Sequence, residues 1–205
     1  MQRGAIILCG GKSSRMGRDK ATLPFGPELM LQRIVRLLGQ SVDLTRIVVV
    51  AAPEQQLPLL PGGIVVVYDL RPDRGPLEGL AAGLIALEGR ADAAYVTSCD
   101  VPLLQTGFVD HMFQLLGDHD IAVPRENEFP HPLAAVYRTS VLASIRRLLD
   151  TDRLRLRFLF DEVNTQEIPV EELRKVDPLL ETLMNLNRPE DYHQALVAAG
   201  FASAT

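Results

Sequence analysis

Residues 5–20 read AIILCGGKSSRMGRDK, and this stretch decides how the chain folds. Its apolar, partly β-branched beginning predicts a buried strand over about residues 4–9. The adjacent glycines Gly10 and Gly11 end that strand and Gly17 follows, so the backbone can bend sharply and another group can approach it closely. We therefore expect a strand that runs directly into a glycine-bent loop.

The same loop carries an excess of positive charge. Four basic residues and one acid lie within it or directly after it: Lys12, Arg15, Arg18 and Lys20 against Asp19. Backbone N–H groups of such a loop can line a concave anion site, and the cations offset phosphate charge. The pattern favours a polyphosphate ligand, and the alternative is a tight turn under a solvated basic surface.

Two common phosphate-binding motifs do not match this loop. The P-loop pattern needs its first glycine where this chain has Ile6, although residues 11–13 would supply its end. The dinucleotide pattern Gly-x-Gly-x-x-Gly also fails, because the first two glycines are adjacent and the third comes only at Gly17. The loop is therefore a phosphate-binding candidate of another type.

The composition indicates one sizeable core. The chain has 205 residues, 47% of them hydrophobic, which is enough for one domain. Its 21 lysines and arginines against 26 acids give a formal net charge of −5, which argues against general binding to nucleic acid or a membrane surface. The first apolar run is too short for a signal peptide, and no stretch approaches the roughly 20 apolar residues of a membrane span. The two cysteines form no disulfide or zinc pattern, so we expect a cytoplasmic protein with reduced thiols.

Strand and helix patterns alternate along the chain, which predicts an α/β fold with a mainly parallel sheet. The predicted strands cover about 4–9, 46–51, 64–68, 93–99, 120–124, 132–137 and 183–186. The predicted helices cover about 28–38, 76–87, 106–116, 140–149 and 189–199, with a short helix and a loop within 53–61. Residues 153–158 alternate between arginine and apolar residues with the period of a strand, whereas arginine and leucine are good helix formers.

Two acids follow predicted strands at the edge where ligands bind in a parallel α/β sheet. Asp69 follows the third strand and Asp100 follows the fourth, so both should lie near the glycine loop. A carboxylate beside a polyphosphate loop suits Mg²⁺, a hard cation that prefers oxygen ligands. The alternatives are a cap for the turn before Pro102 in the case of Asp100 and an ordinary turn residue in the case of Asp69. The helix start at residues 75–79 adds N–H groups that favour an anion at this edge.

Residues 8–20 resemble the signature loop of the nucleotidyltransferases that activate molybdopterin and sugar phosphates. The family form is Leu-Ala-Gly-Gly-x-x-x-Arg-Met-Gly-x-Asp-Lys, and this chain has Cys9 in place of the alanine. The closest resemblance is to the molybdenum cofactor guanylyltransferases. Residues 99–103 resemble the family's Cys-Asp-x-Pro segment, and residues 185–191 resemble its closing Asn-x-Asn-x-Pro-Glu segment. The resemblance implies a three-layer, Rossmann-like nucleotidyltransferase fold with a mainly parallel central sheet, and a helix over 153–158. It also implies a single domain over 1–205, whose N-terminal half binds the nucleotide and whose C-terminal half mainly binds the pterin.

The resemblance also implies roles for individual residues. Lys20, Arg15 and Asp100 would act in catalysis, and Asp100 would hold Mg²⁺. The implied nucleotide contacts come from a larger set: Leu8, Cys9, Gly10, Gly11, Lys20, Asp69 and Asp100. His131 lies in a segment that resembles one near the second substrate, and an ordinary loop histidine is the open alternative. Asn187 resembles a family asparagine, and we expect it at least to cap the final helix.

The implied reaction transfers GMP from GTP to molybdenum-bound molybdopterin and releases pyrophosphate. One departure concerns the base, because the related enzymes carry an asparagine shortly after the second strand, where residues 50–53 read Val-Ala-Ala-Pro. Gly10 and residues 75–77 still resemble the guanylyl form, so the expected nucleotide is GTP. The rival interpretations are a cytidylyl- or sugar-phosphate nucleotidyltransferase and a non-catalytic nucleotide-binding module. The expected partners are the substrates GTP and molybdopterin and, beyond them, other molybdenum cofactor biosynthesis proteins or apo-molybdoenzymes, with no nucleic acid and no membrane.

Overall fold

A computed structural model of the chain describes residues 1–10, 19–69, 71 and 74–202. Its strands are β1 Arg3–Leu8, β2 Pro24–Phe25, β3 Glu28–Leu29, β4 Ile47–Ala51, β5 Val65–Tyr68, β6 Ala93–Ser98, β7 Ile121–Glu126, β8 Phe129–Pro130, β9 Ala134–Arg138 and β10 Thr165–Pro169. Its α-helices are α1 Met30–Leu38, α2 Pro76–Ala86, α3 Thr106–Leu115, α4 Leu142–Asp150, α5 Arg157–Phe160, α6 Val170–Leu173 and α7 Pro189–Ala198. No helix within these described ranges is both long and apolar enough to cross a membrane.

The main sheet has the strand order β10-β7-β9-β6-β1-β4-β5, and β8 pairs with β7 outside this path. Strand β1 lies inside the sheet and pairs in parallel with both β4 and β6. The pairs β4–β5 and β7–β10 are also parallel, whereas β9 runs antiparallel to both of its neighbours. The prediction of a mainly parallel α/β sheet is therefore confirmed.

Helices cover both faces of this sheet, as the alternation of side chains along β1 shows. Ala5 and Ile7 pack in one core cluster with residues of α1 and α3. Ile6 and Leu8 point to the opposite face and pack in a second cluster with residues of α2 and α4. Helix α2 approaches β1 closely, since a Cβ added at Gly83 would lie only 2.6 Å from a side-chain carbon of Ile6. The result is the expected three-layer arrangement.

A third, smaller cluster attaches the last helix beside the carboxyl end of β6. It joins Phe25 of the β2–β3 hairpin to Leu103, Leu186 and Ala195. Next to it, the guanidinium of Arg33 lies over the rings of Phe25 and Phe201, and its Nε donates to the carbonyl oxygen of Pro102 at 2.6 Å. This packing brings the segment before α7 against the loop that follows β6.

Three predictions of local structure were wrong. Residues 53–61 contain no helix, because prolines at 53, 58 and 61 interrupt helical hydrogen bonding. Residues 153–155 belong to no helix or strand and Leu156 lies in a turn, so the helix begins only at Arg157. Leu156 is buried, whereas Arg153 and Arg155 are exposed. Residues 183–186 form no strand, since Leu186 N–H makes a single bond to Asp100 O at 2.9 Å rather than a ladder. Strand β10 was missed because only Ile168 of this polar edge strand is buried.

Candidate active site

The carboxyl ends of four parallel strands meet at one edge of the sheet. Leu8 is in register with Ser98 and with Val50, so the residues after β1, β4 and β6 lie side by side. Backbone bonds extend the pairing beyond the strands: Cys9 N–H donates to Val50 O at 2.8 Å, and Asp69 N–H donates to Ala51 O at 2.9 Å. The structure thus brings the predicted residues Cys9, Gly10, Asp69 and Asp100 to one edge.

Asp100 and Lys20 form an ion pair at this edge. Lys20 Nζ lies 2.7 Å from Asp100 Oδ2, and the two side chains are only 17% and 11% exposed. The hydroxyl of Ser98 donates a short hydrogen bond to Asp100 Oδ1. Lys20 belongs to a 3₁₀ turn, Lys20–Thr22, which Asp19 caps. Oδ1 of Asp19 accepts from Ala21 N–H at 2.9 Å.

The closing asparagines complete this group. Asn185 Nδ2 donates to Asp100 Oδ1 at 3.4 Å, and Asn187 Oδ1 accepts from Lys20 Nζ at 3.4 Å. Asn187 does not cap helix α7 as predicted. The carboxylate of Asp191 has that role, because its Oδ2 accepts from the N–H groups of Asn187 and Arg188 at 3.0 and 2.9 Å. The side chain of Asn187 is therefore turned toward Lys20 rather than used in the cap.

Asp69 lies between two glycines. A Cβ added at Gly10 would be 3.5 Å from Asp69 Oδ2, and one added at Gly79 would be 3.6 Å from Asp69 Oδ1. Burial and then the negative charge of Glu78 raise the pKa of the Asp69 carboxyl. Asp69 Oδ1 is buried and has no hydrogen-bond partner within the described part of the chain, so it can still accept a hydrogen bond from a ligand.

Helix α2 begins at the same edge. Its N-cap is Gly75, which has a φ of +79° that suits glycine and offers no side-chain cap, and Pro76 opens the helix. Glu78 in the first turn lies 3.3 Å from the guanidinium of Arg74. An acid already occupies the first turn, so this helix start is a less open anion site than the sequence indicated.

Leu8 and Cys9 can contact a ligand here only through their backbone. Their side chains are 8% and 6% exposed and pack into the two core faces of the sheet. A hydrogen bond to Cys99, together with burial, raises the pKa of the Cys9 thiol well above its usual value. A thiol with a raised pKa is a poor nucleophile, so Cys9 acts as a small packing residue rather than as a nucleophile.

Three sequence predictions remain without a structural account of the site. Gly11 and Arg15 lie outside the described residues. His131 lies in the loop before β9, where burial lowers its pKa, and its Nε2 is 3.8 Å from Glu126 Oε2. It makes no described contact with Asp100 or Lys20.

Sequence reasoning missed Gln55, which lies four residues after β4. Its side-chain Nε2 donates to Cys9 O at 3.2 Å and to Asp19 Oδ2 at 2.8 Å, and its Oε1 accepts from Ala52 N–H at 3.0 Å. The family asparagine is missing from this region, but nothing in the local sequence marks a glutamine in a proline-rich loop as functional. Only the three-dimensional contacts identify it.

The described residues supply some, but not all, of the ligands that a magnesium ion needs. No group of three or more His, Cys, Asp or Glu side chains within the described ranges could hold a metal. Asp100 does offer a carboxylate, and the amides of Asn185 and Asn187 beside it carry further oxygen atoms. Because Mg²⁺ in nucleotide sites is commonly held by one or two carboxylates together with phosphates and water, this donor set fits the expected ion.

Comparison with known proteins agrees with this geometry. Residues 5–167 match the model of the MobA-like NTP transferase domain. A protein of Methanosarcina acetivorans named "Probable molybdenum cofactor guanylyltransferase" is 36% identical over 199 residues, which cover 92% of this chain and 88% of that protein. A protein of the same name from Mycobacterium avium is 37% identical over 179 residues, covering 85% and 88%.

Solved structures show the same fold. Molybdopterin-guanine dinucleotide biosynthesis protein A from Archaeoglobus fulgidus aligns with a TM-score of 0.77 at 21% identity, covering 98% of this chain and all of that one. A 2-C-methyl-D-erythritol 4-phosphate cytidylyltransferase from Thermus thermophilus aligns with a TM-score of 0.68 at 14% identity, covering 98% and 100%. With its signature loop, its strand-end acids and relatives above 30% identity, this chain belongs to the MobA-like nucleotidyltransferase family.

Proposed function

We propose that the protein transfers GMP from GTP to molybdenum-bound molybdopterin, forming the guanine dinucleotide cofactor and releasing pyrophosphate. The observation that carries the proposal is the group formed by Lys20, Asp100, Asn185 and Asn187 at the carboxyl edge of the sheet. These residues come from the two ends of the chain and from the end of β6. Such a convergence of a lysine, an acid and two amides suits a nucleoside triphosphate better than it suits a structural role.

In this reaction the phosphate of molybdopterin attacks the α-phosphorus of GTP, so no protein nucleophile is needed. The raised pKa of Cys9 agrees with that, because a neutral thiol does not compete for phosphorus. Catalysis then consists of positioning and of neutralising charge as the pyrophosphate leaves. Lys20 and Arg15 supply positive charge, and the backbone N–H groups of Gly10 and Gly11 supply hydrogen bonds.

Asp100 is the residue that would hold Mg²⁺. Its Oδ1 is turned to Ser98 and Asn185, and its Oδ2 is turned to Lys20. When bound there, the ion would offset the charge of the phosphates and orient them for displacement. Asn185 and Asn187 would hold Asp100 and Lys20 in place as the phosphates enter.

Base preference is the finer part of the proposal. Gly10 lacks a Cβ, so a large purine can lie close to the loop backbone. A Cβ added there would meet Ala52 N and Asp69 Oδ2 at 3.5 Å, which is ordinary contact, and the protein itself therefore tolerates alanine. If Gly10→Ala uses GTP less well than wild type while its folding stability is retained, the result would support a nucleotide lying against this residue.

The test is pyrophosphate release with each of the four ribonucleoside triphosphates, with and without molybdopterin. We expect release that requires both GTP and molybdopterin, and mass spectrometry should find the guanine dinucleotide product. Comparable use of CTP would overturn the guanylyl assignment and favour the cytidylyl alternative, since the similarity of fold extends to a cytidylyltransferase. Nucleotide binding without pyrophosphate release from any combination would favour a non-catalytic binding module.

The remaining expectations belong to the same proposal. The C-terminal half would bind the pterin, and the enzyme would work in the cytoplasm, where its product passes to other molybdenum cofactor proteins or to apo-molybdoenzymes. Co-purification of the protein with such a partner, with and without bound product, would test the last of these.

A further inference from the structure

Gln55 connects three separate backbone segments through one side-chain amide. Its Nε2 donates to Cys9 O at the end of β1 and to Asp19 Oδ2 just before the Lys20 turn. Its Oε1 accepts from Ala52 N–H at the end of β4. Cys9 and Asp19 lie near the two ends of the signature loop in the sequence, so one side chain bonds to both ends of that loop.

These contacts determine the orientation of the amide and occupy both of its donor hydrogens. Cys9 O can only accept a hydrogen bond and Ala52 N–H can only donate one, so nitrogen and oxygen cannot be exchanged. Both hydrogens of Nε2 have a partner, at 3.2 and 2.8 Å. No donor is left over, so a nucleobase could pair only with the second lone pair of Oε1, although Gln55 lies in the region where the related enzymes carry their nucleotide-contacting asparagine.

The bond to Asp19 continues to Lys20. While Oδ2 of Asp19 accepts from Gln55, Oδ1 accepts from Ala21 N–H and so caps the 3₁₀ turn. That turn carries Lys20, whose Nζ lies 2.7 Å from Asp100 Oδ2. Rotation of the Asp19 carboxylate would loosen the turn and move the ammonium group away from Asp100.

We propose that Gln55 is a positioning residue of the transferase: it holds Asp19, and through it Lys20, in the geometry needed for the triphosphate, and it does not read the base. This inference rests on the proposed function, since Lys20 is taken to act on the nucleotide. It differs from the role of the family asparagine, because a positioning residue affects all accepted nucleotides alike.

The kinetic test compares Gln55→Ala with Gln56→Ala, an exposed neighbour that serves as the matched control. A misplaced catalytic group commonly lowers the rate by a factor of about 10 to 100, and we expect such a fall in kcat for Gln55→Ala and no change for Gln56→Ala. The ratio of GTP use to CTP use should not change. In a Lys20→Ala background, Gln55→Ala should add little further loss, because the residue acts through Lys20.

A reciprocal exchange separates positioning from a general loss of stability. Gln55→Glu removes both donors and places a second carboxylate against Asp19, so it should be at least as damaging as alanine. Combining it with Asp19→Asn restores a donor–acceptor pair between the two positions, and activity should partly recover. Equal kinetics of Gln55→Ala and its control, a changed GTP-to-CTP ratio, or an undiminished loss in the Lys20→Ala background would each overturn the proposal.

Amide hydrogen exchange distinguishes failure of this inference from failure of the proposed function. Ala21 N–H is bonded to Asp19, not to Gln55, so faster exchange at Ala21 in Gln55→Ala, reversed in the double exchange variant, reports the positioning directly. This measurement needs no turnover. A wild-type protein that releases no pyrophosphate would refute the proposed function, whereas unchanged exchange at Ala21 would refute the positioning role.

Discussion

Replacing Asp100 with asparagine should nearly abolish turnover while the fold persists. The Asp100 side chain is 11% exposed, and its carboxylate contacts Lys20, Ser98 and Asn185. Asparagine has almost the same shape and can still accept one of these hydrogen bonds, but it lacks the charge that pairs with Lys20 and would hold Mg²⁺. Loss of one well-placed electrostatic contact in a transition state lowers the rate on the order of 10²–10³-fold.

The loss of folding stability should be too small to explain the loss of turnover. A hydrogen bond to a charged group contributes about 1.5–3 kcal/mol, and the amide keeps part of it, so we expect a loss of about 1–3 kcal/mol. A domain of this size has on the order of 5–15 kcal/mol of stability, so the variant stays overwhelmingly folded at 25 °C. Any fall in turnover of two orders of magnitude therefore reports chemistry rather than unfolding.

The assay is pyrophosphate release at saturating Mg²⁺, beside urea denaturation of the same samples. Asp177→Asn is the matched control, because Asp177 is 1% exposed and its partners among the described residues are the backbone N–H groups of Glu181 and Thr182, from which it accepts. It should lose comparable stability and keep its turnover. If Asp100→Asn turns over within a few-fold of wild type, Asp100 is only a turn residue, and the reasoning from its strand-end position fails.

Three further predictions concern the loop lysines, the packing of α2 and the acid after β5. Lys20→Ala should weaken GTP binding in calorimetric titration far more than Lys12→Ala, because Lys12 occupies a variable position of the signature; equal losses would indicate a diffuse basic surface. Gly83→Ala should lower the urea midpoint by the equivalent of about 1–2 kcal/mol, since its Cβ would lie 2.6 Å from a buried side chain of β1. Gly62→Ala is the control and should leave the midpoint unchanged, because a Cβ added at Gly62 has no neighbouring atom within 4 Å among the described residues. The pKa of Asp69 is raised in the folded state, so its ionised form costs stability above that pKa and not below the unfolded one. Asp69→Asn should therefore raise the melting temperature relative to wild type at pH 7 and not at pH 3, and an equal difference at both pH values would contradict this.

The sheet and its edge could be predicted because their causes are local in sequence. The apolar runs of β1, β4 and β6 are fully buried between helices, so their composition alone indicates parallel strands. Strand β5 pairs in parallel with β4, so the acids that follow β5 and β6 must lie at the same edge. Asp69 and Asp100 therefore needed no knowledge of the rest of the fold.

The errors have a different origin, because tertiary contacts decided them. Leu186 gives its N–H to Asp100 O and its side chain to the small core cluster, so an apolar segment that resembles a strand becomes a bridge between α7 and the site. The alternation in residues 153–156 reflects an inside and an outside, with Leu156 buried, but no neighbouring strand. The role of Gln55 could not be predicted for the same reason, since two of its three partners lie 46 and 36 positions away in the sequence.

Under the proposed function, the Lys20–Asp100 pair would let a protein of net negative charge keep a charged and ordered triphosphate site. Each side chain is more than four-fifths shielded from solvent, and a buried charge without a partner would be costly. Each is therefore the counter-ion of the other at 2.7 Å. Under the proposed function, the phosphates take over Lys20 and leave the carboxylate of Asp100 available to hold Mg²⁺, so positive and negative charge are exchanged together.

The two asparagines fit this exchange because they are neutral. Asn187 Oδ1 faces Lys20 and Asn185 Nδ2 faces Asp100, each at 3.4 Å, so each charge retains a hydrogen-bonding neighbour when the pair separates. A carboxylate in place of Asn187 would compete with phosphate for Lys20, and an ammonium in place of Asn185 would compete with the metal for Asp100. Under the proposed function, neutral amides would orient both groups without binding either as tightly as a charged group would, which is the electrostatic preorganisation that transfer at phosphorus requires.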